Sequence, residues 1–123
     1  IDFTYYLDFS ALEILSRTIL DDYTSNAAVV TSNLLNQYGF SVSQDNSHDR
    51  HLGMQTYAHL RNSLFHNGEF EKSFNENENI ITLKLNDYAN YLRLLVPDLL
   101  LRILGYDNDN INWNRWLDRM PFK

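Results

Sequence analysis

The strongest constraint in this sequence lies in its last third. There Tyr88, Leu92, Leu95, Leu99 and Ile103 recur at steps of 4, 3, 4 and 4. That spacing returns an apolar side chain to one helix face at every turn and predicts a long amphipathic helix, capped at Asn86 or Asp87 and ended by Gly105. Pro97 lies inside it and removes one backbone hydrogen bond, so a kink is expected there. Such a helix needs other elements to cover its stripe, because most helical stability in a protein comes from packing. The same chain supplies them.

From Asp2 to about Asp22, apolar residues at Phe3, Tyr6, Leu7, Ala11, Ile14 and Leu15, with Thr18, fall at helical spacing, while Phe9, Leu12 and Ile19 add a second apolar face. This first helix is expected to bury more than one side, either at the centre of a bundle or against a partner subunit. Thr24, Ser25 and Asn26 are N-cap candidates for a second helix carrying Ala27, Val30, Leu34 and Tyr38, with Gly39 as its stop. A polar loop at 41–49 leads to a third helix over about 50–67, with Gly68 just past its end. The charged, Asn-rich stretch at 69–79 shows no periodicity and reads as a solvated loop, and 80–85 as one short strand or a lead-in. Trp113, Trp116 and Leu117 predict a short final helix that staples the tail to the core. The expectation is one all-α domain over residues 1–123, a bundle of four or five helices.

Composition narrows the function classes. The 123 residues carry a formal charge of −6, which argues against a broad basic surface for nucleic acid but leaves room for one local basic site. Without Cys there is no disulfide framework or thiolate metal site. Arg93, Asp98 and Arg102 interrupt the most apolar stretch, so no membrane span is expected. The chain begins at Ile1 with no signal-peptide pattern, which points to a cytoplasmic module of a longer protein, working with other domains of its parent chain.

The third helix holds the candidate chemistry. Its apolar stripe runs Met54, Tyr57, Ala58, Leu64 and Phe65, and the position that should continue it carries Arg61. A buried guanidinium needs a partner. Either Arg61 answers a carboxylate such as Glu13, or it lines a cleft. Beside the stripe, Gln55, His59, Asn62 and His66 follow at steps of 4, 3 and 4, which stacks them into one polar ribbon. His66 falls in the last turn, where the helix dipole favours its protonated form. A cation, an amide and an imidazole at one helix end suit phosphodiester chemistry. The imidazole can move a proton near neutral pH, and Arg can hold a phosphate through two parallel hydrogen bonds. No carboxylate cluster lies nearby, and the chemistry calls for no metal and no cofactor.

Other motifs carry less. His48 and His51, near Asp45 and Asp49, have no third metal ligand set by spacing. The Asp107-Asn108-Asp109-Asn110 run has Asn112 where a calcium loop needs Gly, so it reads as a turn.

The string Leu60-Arg61-Asn62-Ser63-Leu64-Phe65-His66-Asn67-Gly68 resembles the Arg-x4-His signature of the HEPN superfamily (higher eukaryotes and prokaryotes nucleotide-binding), and most of all its Apea-like branch. The resemblance implies an α-helical bundle that dimerises and brings two motif copies into one cleft. It also implies a metal-independent endoribonuclease of a toxin–antitoxin, antiviral or other defence system. Arg61 and His66 carry over as catalytic residues and Asn62 as the polar residue beside them. Glu13 is the candidate for a supporting group from the first helix, and His59 is a further supporting candidate. The family's AMPylated toxins carry Tyr two residues after the motif His, where this chain has Gly68, which argues against that regulation. The alternatives are a catalytically silent HEPN module that binds RNA or a nucleotide, and a helical dimerisation domain in which Arg61 only pairs with Glu13.

Overall fold

The computed structural model describes residues 3–45, 49–67, 71–106 and 109–122, with residues 65–67 described by their backbone alone. Its elements run α1 (Thr4–Leu20), α2 (Ala27–Gln37), a 3-10 turn (Arg50–Leu52), α3 (Met54–Asn67), β1 (Glu71–Glu76), β2 (Asn79–Lys84), α4 (Leu85–Ile103) and α5 (Arg115–Asp118). The expected all-α bundle is therefore corrected to a mixed fold, with helices around one core and an antiparallel hairpin on its edge.

Helix starts follow local chemistry. Asn26 caps α2, its side chain accepting from the Val29 N–H at 3.1 Å. Gly39 follows the helix with φ of 91°, a left-handed conformation that a side chain would strain. A Cβ there would also approach Nη2 of Arg102 to 3.1 Å. The third helix begins later than its sequence suggests. The chain turns through 50–52, extends at Gly53, and enters α3 at Met54. The first N–H groups of α3, which have no partner within the helix, are taken by the preceding loop: Met54 N donates to Ser43 O and Gln55 N to Gln44 O, both at 2.9 Å. The expected caps at Asn86 and Asp87 are not used. Leu83 and Leu85 are both buried, and the strand runs straight into the helix through Lys84. Helix α4 continues past Pro97 to Ile103.

The hairpin replaces the predicted loop at 69–79. Its register pairs Lys72 with Leu83, Phe74 with Ile81 and Glu76 with Asn79, leaving Asn77 and Glu78 as a two-residue turn. Both have positive φ, 50° and 67°, the geometry that matches the twist of two paired strands. That turn is usually marked by Asn-Gly. Here Glu stands in the Gly position, and Phe74 is the single apolar residue of β1, so neither usual signal is present.

The core is built on Phe9 and Leu12 of α1, Leu34 and Leu35 of α2, Tyr57 and Leu60 of α3, and Leu92, Leu95 and Leu99 of α4, with Trp116 of α5 closing it. Each fully buried side chain of this size contributes about 1.5–3 kcal/mol of burial free energy. Trp116 bears out the stapling role predicted for the tail, and Trp113 lies under the Arg102 guanidinium at 4.9 Å. On α1 the structure reverses the expected emphasis. The Tyr5, Phe9, Leu12 and Ser16 face is buried, while Phe3, Leu7 and Ile14 are 54%, 64% and 66% exposed. Only one side of α1 is buried within the chain. Among the described residues no helix is long and apolar enough to cross a membrane.

Candidate functional site

Helices α1 and α3 lie against each other, pinned by a buried hydrogen bond from the Tyr5 hydroxyl to Tyr57 O at 2.7 Å. Further along the same contact, α1 presents Glu13 and, one turn on, Arg17, while α3 presents Arg61 and Asn62. Arg61 Nη1 donates to Glu13 Oε1 at 2.7 Å, and Arg17 donates from Nε to Glu13 Oε2 at 2.9 Å. The carboxylate is thus shared by two guanidinium groups. Arg61 Nε donates to Asn62 Oδ1 at 3.0 Å, and its Cζ lies 4.9 Å from the Phe9 ring centroid. Arg17 Nη1 also donates to the carbonyls of Asp22 and Ser25, so the connection to α2 holds the cluster from behind.

The cluster is half-buried, with the Arg61 and Glu13 side chains 16% and 19% exposed. Burial by itself raises the Glu13 carboxyl. The hydrogen bonds from Arg61 and Arg17 oppose it and prevail, leaving the pKa below the ordinary glutamate value. Glu13 is therefore ionised at neutral pH and acts as an anchor for Arg61, not as a proton donor. These two hydrogen bonds of Arg61 use two of its five N–H donors. Its Nη2 makes no hydrogen bond among the described residues.

Three of the five site residues predicted from the sequence therefore meet: Glu13, Arg61 and Asn62. His59 goes elsewhere. Its ring stands edge-on to Phe74 of β1 at 6.1 Å, in a cavity of about 280 Å³ between α3 and the hairpin that Arg50 and Glu76 close with a 2.6 Å ion pair. Burial lowers its pKa, and the nearby Lys72 lowers it further, so His59 is held neutral by the hairpin the sequence did not announce. The predicted ribbon of Gln55, His59, Asn62 and His66 is divided in this way: Gln55 and His59 line the hairpin cavity, and Asn62 serves Arg61. His66 belongs to the last turn of α3, and its side chain, like Gly68, lies outside the described residues. His48 lies outside them too, and His51 stacks on Tyr91 at 5.7 Å. Among the described residues no group of acids and histidines could hold a metal ion.

Arg17 is the member that sequence reasoning missed. Its signal was present, since Arg four residues after Glu on one helix forms an ion pair of this kind. The chain matches no protein-family model, no curated protein and no solved structure. The HEPN resemblance therefore stands on the nine residues at 60–68.

Proposed function

We propose that this domain is a metal-independent endoribonuclease whose working groups are Arg61, Asn62 and His66 at the C-terminal end of α3. The observation that carries the reading is the fixed guanidinium. Arg61 is held by Glu13 at 2.7 Å and by Asn62 at 3.0 Å, with Nη2 unspent on either. A pre-oriented Arg can stabilise charge on a phosphate without reorganising when the charge develops. In the proposed step the RNA 2′-oxygen bonds to phosphorus as the P–O5′ bond breaks. The proton leaves the 2′-hydroxyl and the 5′-oxygen gains one, so the products are a 2′,3′-cyclic phosphate and a 5′-hydroxyl. His66 moves the proton, Arg61 holds the phosphate, and Asn62 orients Arg61. The proposal includes a homodimer through the exposed Phe3, Leu7 and Ile14 stripe of α1, cytoplasmic action on RNA, and the defence setting that the resemblance implies.

The test is cleavage of single-stranded RNA in EDTA by the purified chain and by His66→Ala. The wild type should cut, and the variant should lose about 10²-fold or more, the usual worth of a general acid or base. Uncut RNA, or cutting that survives the substitution, overturns the reading.

A second reading, a helical interaction domain, is favoured by one observation: Arg61 already has its carboxylate partner within the chain. It shares the α1 stripe with the first reading and differs in having no cleavage at all. Loss of stability in Arg61→Ala does not separate them, because the Glu13 bond is lost under both. Cleavage of RNA by the wild type does.

A further inference from the structure

We propose that the cavity between α3 and the β1–β2 hairpin binds a neutral, single-ring cyclic amide, the chemistry of a pyrimidine base, whose edge pairs with the Gln55 amide. The site is separate from the Arg61 cluster: Glu13, Arg61 and Asn62 meet at the α1 contact, and none of them lines this cavity.

Size sets the first limit. The cavity measures about 280 Å³, just under the range of about 300–1,000 Å³ that holds drug-sized ligands. One ring with its exocyclic oxygens fits that space, and a complete nucleotide would leave its sugar and phosphate outside. Hydrogen bonding sets the second limit. Thr56 is only 6% exposed, and Gln55 and His59 are half-buried. Yet among the described residues the side chains of Gln55, Thr56, His59 and Asn75, all lining the cavity, make no hydrogen bond. Buried polar groups take a partner from protein, water or ligand, and a few of them converging on one cavity mark a site for a polar ligand.

The groups that face the interior are neutral. Arg50 and Glu76 are spent on each other at 2.6 Å. Burial and the nearby Lys72 keep His59 uncharged, with one ring nitrogen a donor and the other an acceptor. Asp45, the remaining ionisable residue of the described lining, is exposed. Hydrogen-bond pattern and shape therefore select the ligand. A primary amide presents a donor and an acceptor side by side. Its complement is an N–H beside a C=O, the edge of a cyclic amide, and Gln and Asn read base edges through this same paired geometry. Thr56 and His59 remain to donate to a second carbonyl. Phe74 of β1 and Leu83 of β2 give a flat ring its apolar wall. Flipped bases are held in this way, against apolar side chains with the edge hydrogen-bonded.

The walls are fixed within the chain. Gln55 N donates to Gln44 O at 2.9 Å, which sets the first turn of α3, and Tyr57 OH donates to His51 O at 2.6 Å. On the hairpin side, the Arg50 guanidinium lies over the Phe74 ring at 5.4 Å, and His59 meets that ring edge-on at 6.1 Å.

The experiment is titration of the isotope-labelled 123-residue chain, followed by NMR through the side-chain amide signals of Gln55 and Asn75. The probes are uracil, 1,3-dimethyluracil, which keeps the ring and loses both N–H groups, and a deoxyuridine hexamer, which lacks the 2′-hydroxyl and cannot be cut by the proposed route. Uracil should shift both signals saturably and bind about 10-fold or more tighter than its dimethyl derivative, the discrimination expected of a paired amide contact. Gln55→Leu should remove that preference. His59→Phe, which keeps a ring against Phe74, should weaken uracil several-fold, and both variants should keep the wild-type circular dichroism. A hexamer tighter than uracil identifies the ligand as a base within a strand, and the reverse as a free base; both support the proposal. It is overturned if uracil does not saturate at millimolar concentration, if the dimethyl derivative binds as well, or if Gln55→Leu and His59→Phe bind uracil like the wild type. These readouts hold whether or not the chain cuts RNA, so failure here and failure of the ribonuclease reading are told apart.

Discussion

Glu13 of α1 and Arg61 of α3, 48 positions apart in the chain, meet oxygen to nitrogen at 2.7 Å. Neither residue is well placed for its own helix alone. Arg61 interrupts an apolar stripe, and Glu13 sits between the buried Leu12 and the half-buried Leu15 and Arg17. Each makes the other's position tenable, and Arg17 completes the set by satisfying the second carboxylate oxygen. The pair ties the two helices together and fixes the guanidinium on which the proposed chemistry depends.

Breaking this pair should cost stability at either end. Arg61→Ala or Glu13→Ala is expected to lose about 1–3 kcal/mol, the range for a hydrogen bond to a charged group that leaves its partner unsatisfied. Urea denaturation of the two single variants and the double variant checks this. The double variant should be well short of the sum, because one interaction is being removed twice. Additive losses would mean that the two side chains do not interact in solution.

Acid should weaken the fold through His59 first and then through carboxylates held below their ordinary values, Glu13 together with Asp22, whose bonds from Ser25 and Thr24 hold it to about 2. His59 has a lowered pKa, so the unfolded chain takes up its proton first, and stability falls as pH drops through and below the ordinary imidazole value of about 6.5. Glu13 also has a lowered pKa, so its contribution is complete above about pH 4.3 and is lost as pH falls from there through the folded value. Melting temperature against pH should show both declines. His59→Gln should flatten the upper one and Glu13→Gln the lower. A profile in which neither decline becomes smaller in its own variant contradicts the assignment.

The hairpin turn carries a correctable strain. Glu78 holds a φ of 67° that a side chain disfavours, so Glu78→Gly should stabilise the domain by about 0.5–1 kcal/mol. Thermal melting measures it. Glu78→Val, with a β-branched side chain at the same φ, should move the midpoint the other way.

The exposed stripe of α1 gives a prediction about assembly. Phe3, Leu7 and Ile14 lie outside the core, so Leu7→Glu and Ile14→Glu should alter monomer stability by no more than about 0.5 kcal/mol. If the stripe joins two copies, the wild type sediments as a dimer and Ile14→Glu as a monomer. A monomeric wild type at high concentration removes the homodimer from the proposed function.

Periodicity over three or four residues was readable without any coordinates. It located the α4 stripe, the Asn26 cap of α2, the helix carrying Arg61, and the Trp116 anchor, since each depends on neighbours within a turn or two. The motif at 60–68 was readable in the same way, and so was the choice of partner for Arg61 left between Glu13 and a cleft. Packing decided what spacing could not. Both faces of α1 carry apolar residues, and only the approach of α2, α3 and α4 selected Phe9 and Leu12 over Leu7 and Ile14. The hairpin formed from a strand with one apolar residue because Phe74 found His59 and Arg50 to pack against, which no local pattern encodes. Likewise Arg93, Arg115 and Arg119 are scattered along 27 positions of sequence and share one cavity only because α5 folds back over α4. Local hydrogen bonding and burial periodicity are properties of a short segment, so the sequence determined the helices by itself. The ion pair, the inward face of α1 and the arginine cavity are properties of segments meeting, and only the tertiary structure decides them.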